Sequence, residues 1–302
     1  MSPLVLLHGF TGSPAAFDRL CSAFASPARA RGSDCGETRR GGDEETRRAS
    51  APEDGLRVRN ADAASSSPSL LVSPKIPTAR APLSGDATSP EPSAIIRPLL
   101  AGHGPDPVRV ASWDAEIDRL VALLRRELDA PAHLVGYSLG GRVGYGLLAR
   151  APELFARATL IGAHPGLIEE SEREARRAAD ARWIALLERE GLDAFIAEWE
   201  ALPLWATQPP AMIEAQRAIR RSHRAEGLAH ALEALGLGAM PPVDPAAITT
   251  PLTLVAGQHD AKHRALAEAF APRLGARVHV VPNAGHNVLA EAPDALVEIL
   301  RC

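Results

Sequence analysis

Ser138 stands between glycines in Gly136-Tyr137-Ser138-Leu139-Gly140, directly after the apolar run His133-Leu134-Val135 and ahead of a stretch of helical character. A serine squeezed into a strand-to-helix turn has its hydroxyl thrust clear of the backbone, beside unpaired amides of the new helix. A hydroxyl is a weak nucleophile or base near neutral pH. It needs an imidazole to take its proton and a carboxylate to orient that imidazole. Asp260 and His286 can supply them. Asp260 closes Leu252-Thr253-Leu254-Val255-Ala256-Gly257-Gln258-His259-Asp260, and His286 lies in Pro282-Asn283-Ala284-Gly285-His286 after the next apolar run. Both fall at the carboxyl ends of predicted strands, where open parallel sheets place their sites. Asp244 is the rival acid, but it precedes its strand. His8-Gly9-Phe10 follows the run Leu4-Val5-Leu6-Leu7, so the amides of Phe10 and Leu139 are expected to form an oxyanion hole. The Phe10 ring can pack over the site at the same time. His8 and His103, the latter in Gly102-His103-Gly104, read as turn residues rather than catalysts.

Short apolar runs alternating with helical periodicity imply an α/β fold, a mostly parallel sheet flanked by crossover helices. Strands are predicted at Leu4–Leu7, around Ile95–Ile96, and at His133–Val135, Ala158–Ile161, Leu252–Val255 and Val278–Val281. The clearest helix follows Ser112. Trp113, Ile117, Leu120, Val121, Leu124 and Leu128 share one of its faces, and Asp114 and Glu116 occupy its first turn, where the helix dipole favours acids. From Pro165 to Gly238 there is no strand pattern, only arginine-rich helical stretches broken at Pro203 and Pro209-Pro210, which predicts a helical lid over about 165–238. Residues 26–93 carry no aromatic side chain, eight prolines, and Leu, Ile or Val at only seven positions, with ten acidic and ten basic residues. So little apolar surface predicts a disordered low-complexity insertion. The remaining 234 residues, 1–25 and 94–302, are the size of one α/β domain.

With 46% hydrophobic residues and a formal charge of −4, the composition supports a globular enzyme and gives no global attraction to nucleic acid or an anionic membrane. Cys21, Cys35 and Cys302 cannot all pair, and no leader or spanning stretch is visible, so a cytoplasmic protein is expected. His259-Asp260-Ala261-Lys262-His263 looks like a metal cluster but offers no third ligand at a suitable spacing, so neither metal nor other cofactor is expected. Arg142 sits four residues past Ser138, near a helix start whose dipole disfavours a cation; a bound anion would compensate. The predicted lid adds Arg173, Arg176, Arg177, Arg182, Arg217, Arg220, Arg221 and Arg224. About two thirds of these are expected to be solvated faces offsetting Glu169, Glu170, Glu172 and Glu174, and the rest carboxylate clamps.

Gly136-Tyr137-Ser138-Leu139-Gly140-Gly141-Arg142, then His164-Pro165-Gly166-Leu167 with Glu172-Arg173-Glu174-Ala175-Arg176, and Asp260-Ala261-Lys262-His263-Arg264-Ala265-Leu266-Ala267 together resemble one family. It is the menaquinone-pathway 2-succinyl-6-hydroxy-2,4-cyclohexadiene-1-carboxylate synthase (MenH) family of the α/β-hydrolase superfamily. The resemblance covers Leu4 to Phe24 and Ile95 to the end. It implies the α/β-hydrolase fold with a helical lid, here beginning without the family's first edge strands. Ser138, Asp260 and His286 then match the triad, and Tyr137, Arg142, Arg176, Trp199 and Arg220 (or Arg221) match pocket positions. It also implies a lyase reaction on a small polycarboxylate, in which a proton alpha to a ketone is removed, the charge is held as an enolate, and pyruvate leaves. A monomer or small homo-oligomer is expected. The rivals are a carboxylesterase or thioesterase using the same triad, which leaves Arg142 unexplained, and a silent binding protein, which has no need of a triad.

Overall fold

The computed structural model describes residues 2–25 and 94–301, so the insertion read from composition at 26–93 lies outside the described residues. In chain order the elements are β1 (Leu4–Leu7), α1 (Asp18–Ala25), β2 (Ile95–Ile96), α2 (Trp113–Glu127), β3 (Ala132–Tyr137), α3 (Leu139–Arg150), β4 (Phe155–Ile161), α4 (Glu170–Arg189), α5 (Gly191–Glu200), α6 (Pro210–Arg221), α7 (Ala225–Leu235), β5 (Leu252–Gly257), α8 (Ala261–Leu274), β6 (Arg277–Val281), α9 (Val288–Glu291) and α10 (Pro293–Arg301). The strands form one parallel sheet in the order β2-β1-β3-β4-β5-β6.

Both faces of this sheet are covered, which is why its central strands read as unbroken apolar runs rather than alternating ones. Val5, Leu7, Leu134, Leu160 and Leu254 point to the face packed by α2, α3 and α8. Leu4, Leu6, Val135, Tyr137, Ile161 and Val255 point to the other, covered by α1 and α10. Beyond the predicted apolar runs, β3 extends to Tyr137 and β4 back to Phe155, because buried Ala132, Gly136 and Phe155 continue the pleat. β6 departs most from expectation. As an edge strand it is largely exposed along its length, with only Val281 buried.

Local chemistry fixes the helix starts. Ser112 caps α2, its Oγ accepting the Ala115 N–H at 3.2 Å. The buried face is the one the periodicity gave, and Glu116 joins it with a purpose: it accepts the Ala101 N–H at 3.0 Å and the Arg119 guanidinium at 2.7 and 2.8 Å, holding the turn at 99–104 against the helix. Between β4 and β5 the chain forms α4 to α7. The prolines punctuate it as read, Pro203 opening a short 3-10 turn and Pro210 the first turn of α6. Asp244 merely caps the 3-10 turn at Pro245–Ala247, accepting the Ala246 N–H, which removes it as a rival to Asp260.

Candidate active site

Register brings the carboxyl ends of four strands together, since Leu7 lies opposite Gly136, Tyr137 opposite Ile161, and Ile161 opposite Val255. The loop that follows each strand therefore opens onto one edge of the sheet. At that edge Ser138 adopts φ 52° and ψ −108°, a left-handed conformation rare for a residue with a side chain. Its backbone is pinned by its N–H to the Ile161 carbonyl at 2.8 Å and by its carbonyl to the Arg142 N–H at 3.0 Å. Such a turn is possible only because α3 can approach β1 closely. A Cβ on Gly140 would overlap the Leu7 carbonyl oxygen, and one on Gly136 would lie 2.5 Å from the Gly140 carbonyl oxygen.

The loops carrying the acid and the imidazole are tied to one another before they reach Ser138. Gln258 N–H donates to the Val281 carbonyl and His259 N–H to the Ala284 carbonyl, both at 2.9 Å, while Gln258 Oε1 accepts the Asn283 N–H at 3.0 Å. Glu291, on α9, folds back to accept the amides of Gly285 at 2.7 Å and Asn287 at 3.2 Å. The result is a continuous chain: the Asp260 carboxylate accepts from His286 Nδ1 at 2.6 Å, and His286 Nε2 lies 3.0 Å from Ser138 Oγ. Burial opposes ionisation of Asp260, but hydrogen bonds from His263 and His286 outweigh it and hold the carboxyl well below the usual carboxylate range. Burial lowers the pKa of His286, with the Asp260 hydrogen bond working the other way, so the ring is neutral and can accept a proton.

Leu139 is the first residue of α3 and has no intrahelical acceptor for its N–H. The Phe10 N–H likewise has no hydrogen-bond partner among the described residues. The Phe10 ring packs over the site, edge-on to Trp199 at 5.3 Å and to His103 at 5.9 Å. His8 and His103 are buried turn residues whose rings lie 4.8 Å apart; His8 accepts the Leu100 N–H at 3.2 Å.

Ser138 and His286 open onto a cavity of about 230 Å³ also lined by Arg142, Arg176, His164 and Lys262. Arg142 donates to the Leu235 carbonyl at 2.8 Å, a neutral acceptor that leaves its charge uncompensated by direct contact. Burial and then the neighbouring Arg176 push its guanidinium down to about 9, Asp180 opposing them, so it stays a cation at neutral pH. Arg176 is held by Asp180 at 2.9 and 3.0 Å. Tyr137 and Trp205 also line a larger, mostly apolar cavity of about 520 Å³, which Arg220 lines too. Arg220 is 2% exposed and bonds Glu200 at 2.8 Å, whereas Arg221 is exposed and pairs with Asp193. Most other arginines of this block pair at the surface, Arg173 and Arg177 with Glu170, Arg182 with Glu198 and Arg224 with Glu226. Among the described residues, three buried polar atoms on side chains of the cavity-lining residues have no hydrogen-bond partner, Tyr137 Oη, Trp199 Nε1 and Arg220 Nε, and each is itself closed to solvent. Burial, then Glu291 and Asp260, keep the Tyr137 hydroxyl protonated, so it can donate.

Local spacing did not reveal that His286 completes a trio with Asp260 and His263, their donor atoms all within 4.8 Å. The 2.6 and 2.9 Å separations within it are hydrogen-bond lengths, shorter than the roughly 3.3 Å between ligands of a tetrahedral zinc ion. Sequence reasoning also passed over Glu291, Asp180, Trp183 and Trp205. A signal existed for the aromatic ones: three of the four tryptophans, Trp183, Trp199 and Trp205, fall between β4 and β5.

A family model described as the alpha/beta hydrolase family matches residues 66–299. The 2-succinyl-6-hydroxy-2,4-cyclohexadiene-1-carboxylate synthases of Citrobacter koseri and Salmonella schwarzengrund are 37% and 36% identical over 209 residues, covering 67% of this chain and 81% of each relative. Among solved structures, MenH from S. aureus superposes with a TM-score of 0.73 at 21% identity, covering 99% of this chain and 92% of its own. A thermophilic esterase from Thermogutta terrifontis superposes at 0.66, also with 21% identity, covering 100% and 88%. At such identities the structural likenesses speak for the fold alone.

Proposed function

Because the chain belongs to the alpha/beta hydrolase family, and within it to the family of its 2-succinyl-6-hydroxy-2,4-cyclohexadiene-1-carboxylate synthase relatives, we propose that it is an enzyme of that activity, a lyase eliminating pyruvate from the enolpyruvyl precursor. The observation that carries this reading is the charge around Ser138. Arg142, Arg176 and Lys262 line the cavity onto which the hydroxyl opens, and among the described residues no acid is in direct contact with Arg142. A neutral ester gives no return for gathering such cations around one hydroxyl; a polycarboxylate does.

In this reading His286 takes the proton of the Ser138 hydroxyl across 3.0 Å, Asp260 steadies the resulting imidazolium, and the serine oxygen removes the proton alpha to the succinyl ketone. The enolate oxygen lies against the amides of Phe10 and Leu139, which would stabilise it as they would a tetrahedral intermediate. Collapse of the enolate forms the new ring double bond and breaks the carbon–oxygen bond to the enolpyruvyl group, whose oxygen takes the proton held on His286; the enolpyruvate released tautomerises to pyruvate. Tyr137, Trp199 and Arg220 line the two cavities and supply the aromatic and cationic walls against which the substrate lies. The helices between β4 and β5 serve as a lid carrying Arg176, Trp199 and Arg220.

The test offers the purified protein the enolpyruvyl precursor and a neutral nitrophenyl ester side by side, coupling pyruvate release to a reporter. Brisk pyruvate release with slow or absent ester turnover supports the lyase. Ester hydrolysis without pyruvate would replace it with a hydrolase.

A further inference from the structure

The Asp260 carboxylate is shared between two imidazoles. His286 reaches its Oδ2 at 2.6 Å through Nδ1. His263, three residues on in the first turn of α8, reaches the same oxygen at 2.9 Å and Oδ1 at 3.0 Å through its own Nδ1. The backbone N–H of His263 adds a cap to Oδ1 at 3.3 Å. The two rings lie 4.6 Å apart, tilted by 38°, with side-chain exposures of 15% for His263 and 3% for His286.

An ionised carboxylate only accepts, so each ring must carry its proton on Nδ1. Both tautomers are thereby fixed, and His286 Nε2 is left bare toward the Ser138 hydroxyl. The arrangement also divides the charge of Asp260. A carboxylate serving one imidazole lends that ring its full stabilising field; one that also accepts from a second ring is a weaker base and holds the imidazolium of the first less strongly. Packing alone would not require His263 to aim a ring nitrogen at both carboxylate oxygens, and its backbone N–H already supplies the helix cap.

We propose that His263 is a positioning residue for the reaction: as the second imidazole on Asp260 it locks the carboxylate in place and draws off part of its charge, so that His286 remains a proton-accepting base under mildly acidic conditions. This rests on the reading of His286 as the base. The other groups facing the pair act in known directions. His164 and Lys262 lie on the cavity wall beside His263, and Tyr137 lies 5.4 Å from the His286 ring. Glu291 favours the His286 imidazolium. None of these residues is itself altered in the His263 variants, and His164, which His263 helps to lower, shifts upward with its loss.

The experiment uses full-length protein carrying ¹³C-histidine, with the His286 resonance assigned by its loss in His286→Gln. The His286 titration is followed by NMR, and the pH dependence of kcat/KM for pyruvate release is measured alongside, in wild type, His263→Phe, His263→Ala and His263→Asn. Phenylalanine keeps the ring without a donor, alanine removes it without adding bulk, and asparagine restores an N–H. The His286 midpoint is expected to rise by about half a unit to one unit in the Phe and Ala variants, the direction that losing a donor to its carboxylate dictates. The acidic limb of kcat/KM should move with it, and the Asn variant should stay near wild type. A midpoint unmoved in Phe and Ala, or moved as far in Asn, overturns the proposal. Should wild-type protein release no pyruvate, the functional reading fails, yet the NMR midpoints still decide the role of His263.

Discussion

A single side chain at this site is separable from the fold in a way that core residues are not. Ser138→Ala and His286→Ala remove groups that face the cavity, so each should lower pyruvate release by several orders of magnitude, as loss of a triad member does, while leaving the thermal midpoint near wild type. Near-normal turnover in either variant would end the assignment of these residues. Arg142 tests substrate charge. Arg142→Ala should lower kcat/KM for the anionic precursor by about tenfold to a hundredfold, the range for charge-assisted hydrogen bonds, and leave hydrolysis of a neutral ester, where detectable, unaffected. Lysine should rescue only partly, because an ammonium keeps the charge and loses the planar fork. His286 also sets the pH dependence. Its pKa lies below the ordinary imidazole value, so the base stays available as pH falls, and the acidic limb of kcat/KM should lie below about 6.5.

For the elements, the decisive contact is the crossing of α3 over β1. Gly140→Ala puts a methyl group against the Leu7 and His8 carbonyls, both backbone, the first at the end of β1 and the second next to it, so neither can move aside cheaply. We expect a loss of at least about 1–3 kcal/mol, read as a lower thermal midpoint or insoluble protein, because overpacking forces backbone shifts. The same crossing shows what the sequence makes legible. Gly136-Tyr137-Ser138-Leu139-Gly140 announces its turn because the steric demand is local, and Ser112 announces α2 because a cap acts within one helical turn. Asp260 and His286 were readable from their places at strand ends. The sharing of Asp260 by His263 and His286 was not, since it joins residues 26 apart through the pairing of β5 with β6. Nor were the pairings of Arg220 with Glu200 and of Glu291 with the His286 loop, which depend on how helices pack rather than on any spacing along the chain.

Across the whole molecule, acid should destabilise this protein through its buried imidazoles. Burial lowers His8 to about 4 and His133, beside Arg157, to about 3, and lowers His103 and His223 as well. An unfolded imidazole titrates near 6.5, so below that pH the unfolded chain binds protons the native state refuses. Stability present above about 6.5 is then lost as pH falls toward 4, at up to about 1.4 kcal/mol per unit for each such ring. Thermal midpoints measured from pH 7.5 to 5 should fall steeply, and His133→Gln, which keeps a partner for the Thr159 hydroxyl without a titratable ring, should flatten the slope. Residues 26–93 join α1 to β2, and their composition gives little with which to pack. A short flexible linker in their place should leave pyruvate release intact, and loss of folding would show that the segment is needed. Ser138 carries a cost that the whole chain bears: a left-handed backbone of this kind stores about 1–3 kcal/mol in any residue with a Cβ. Ser138→Gly would release it, whereas Ser138→Ala would not. The inert glycine protein should therefore outlast the active one on heating, so that selection for durability alone would erode the very residue on which turnover depends.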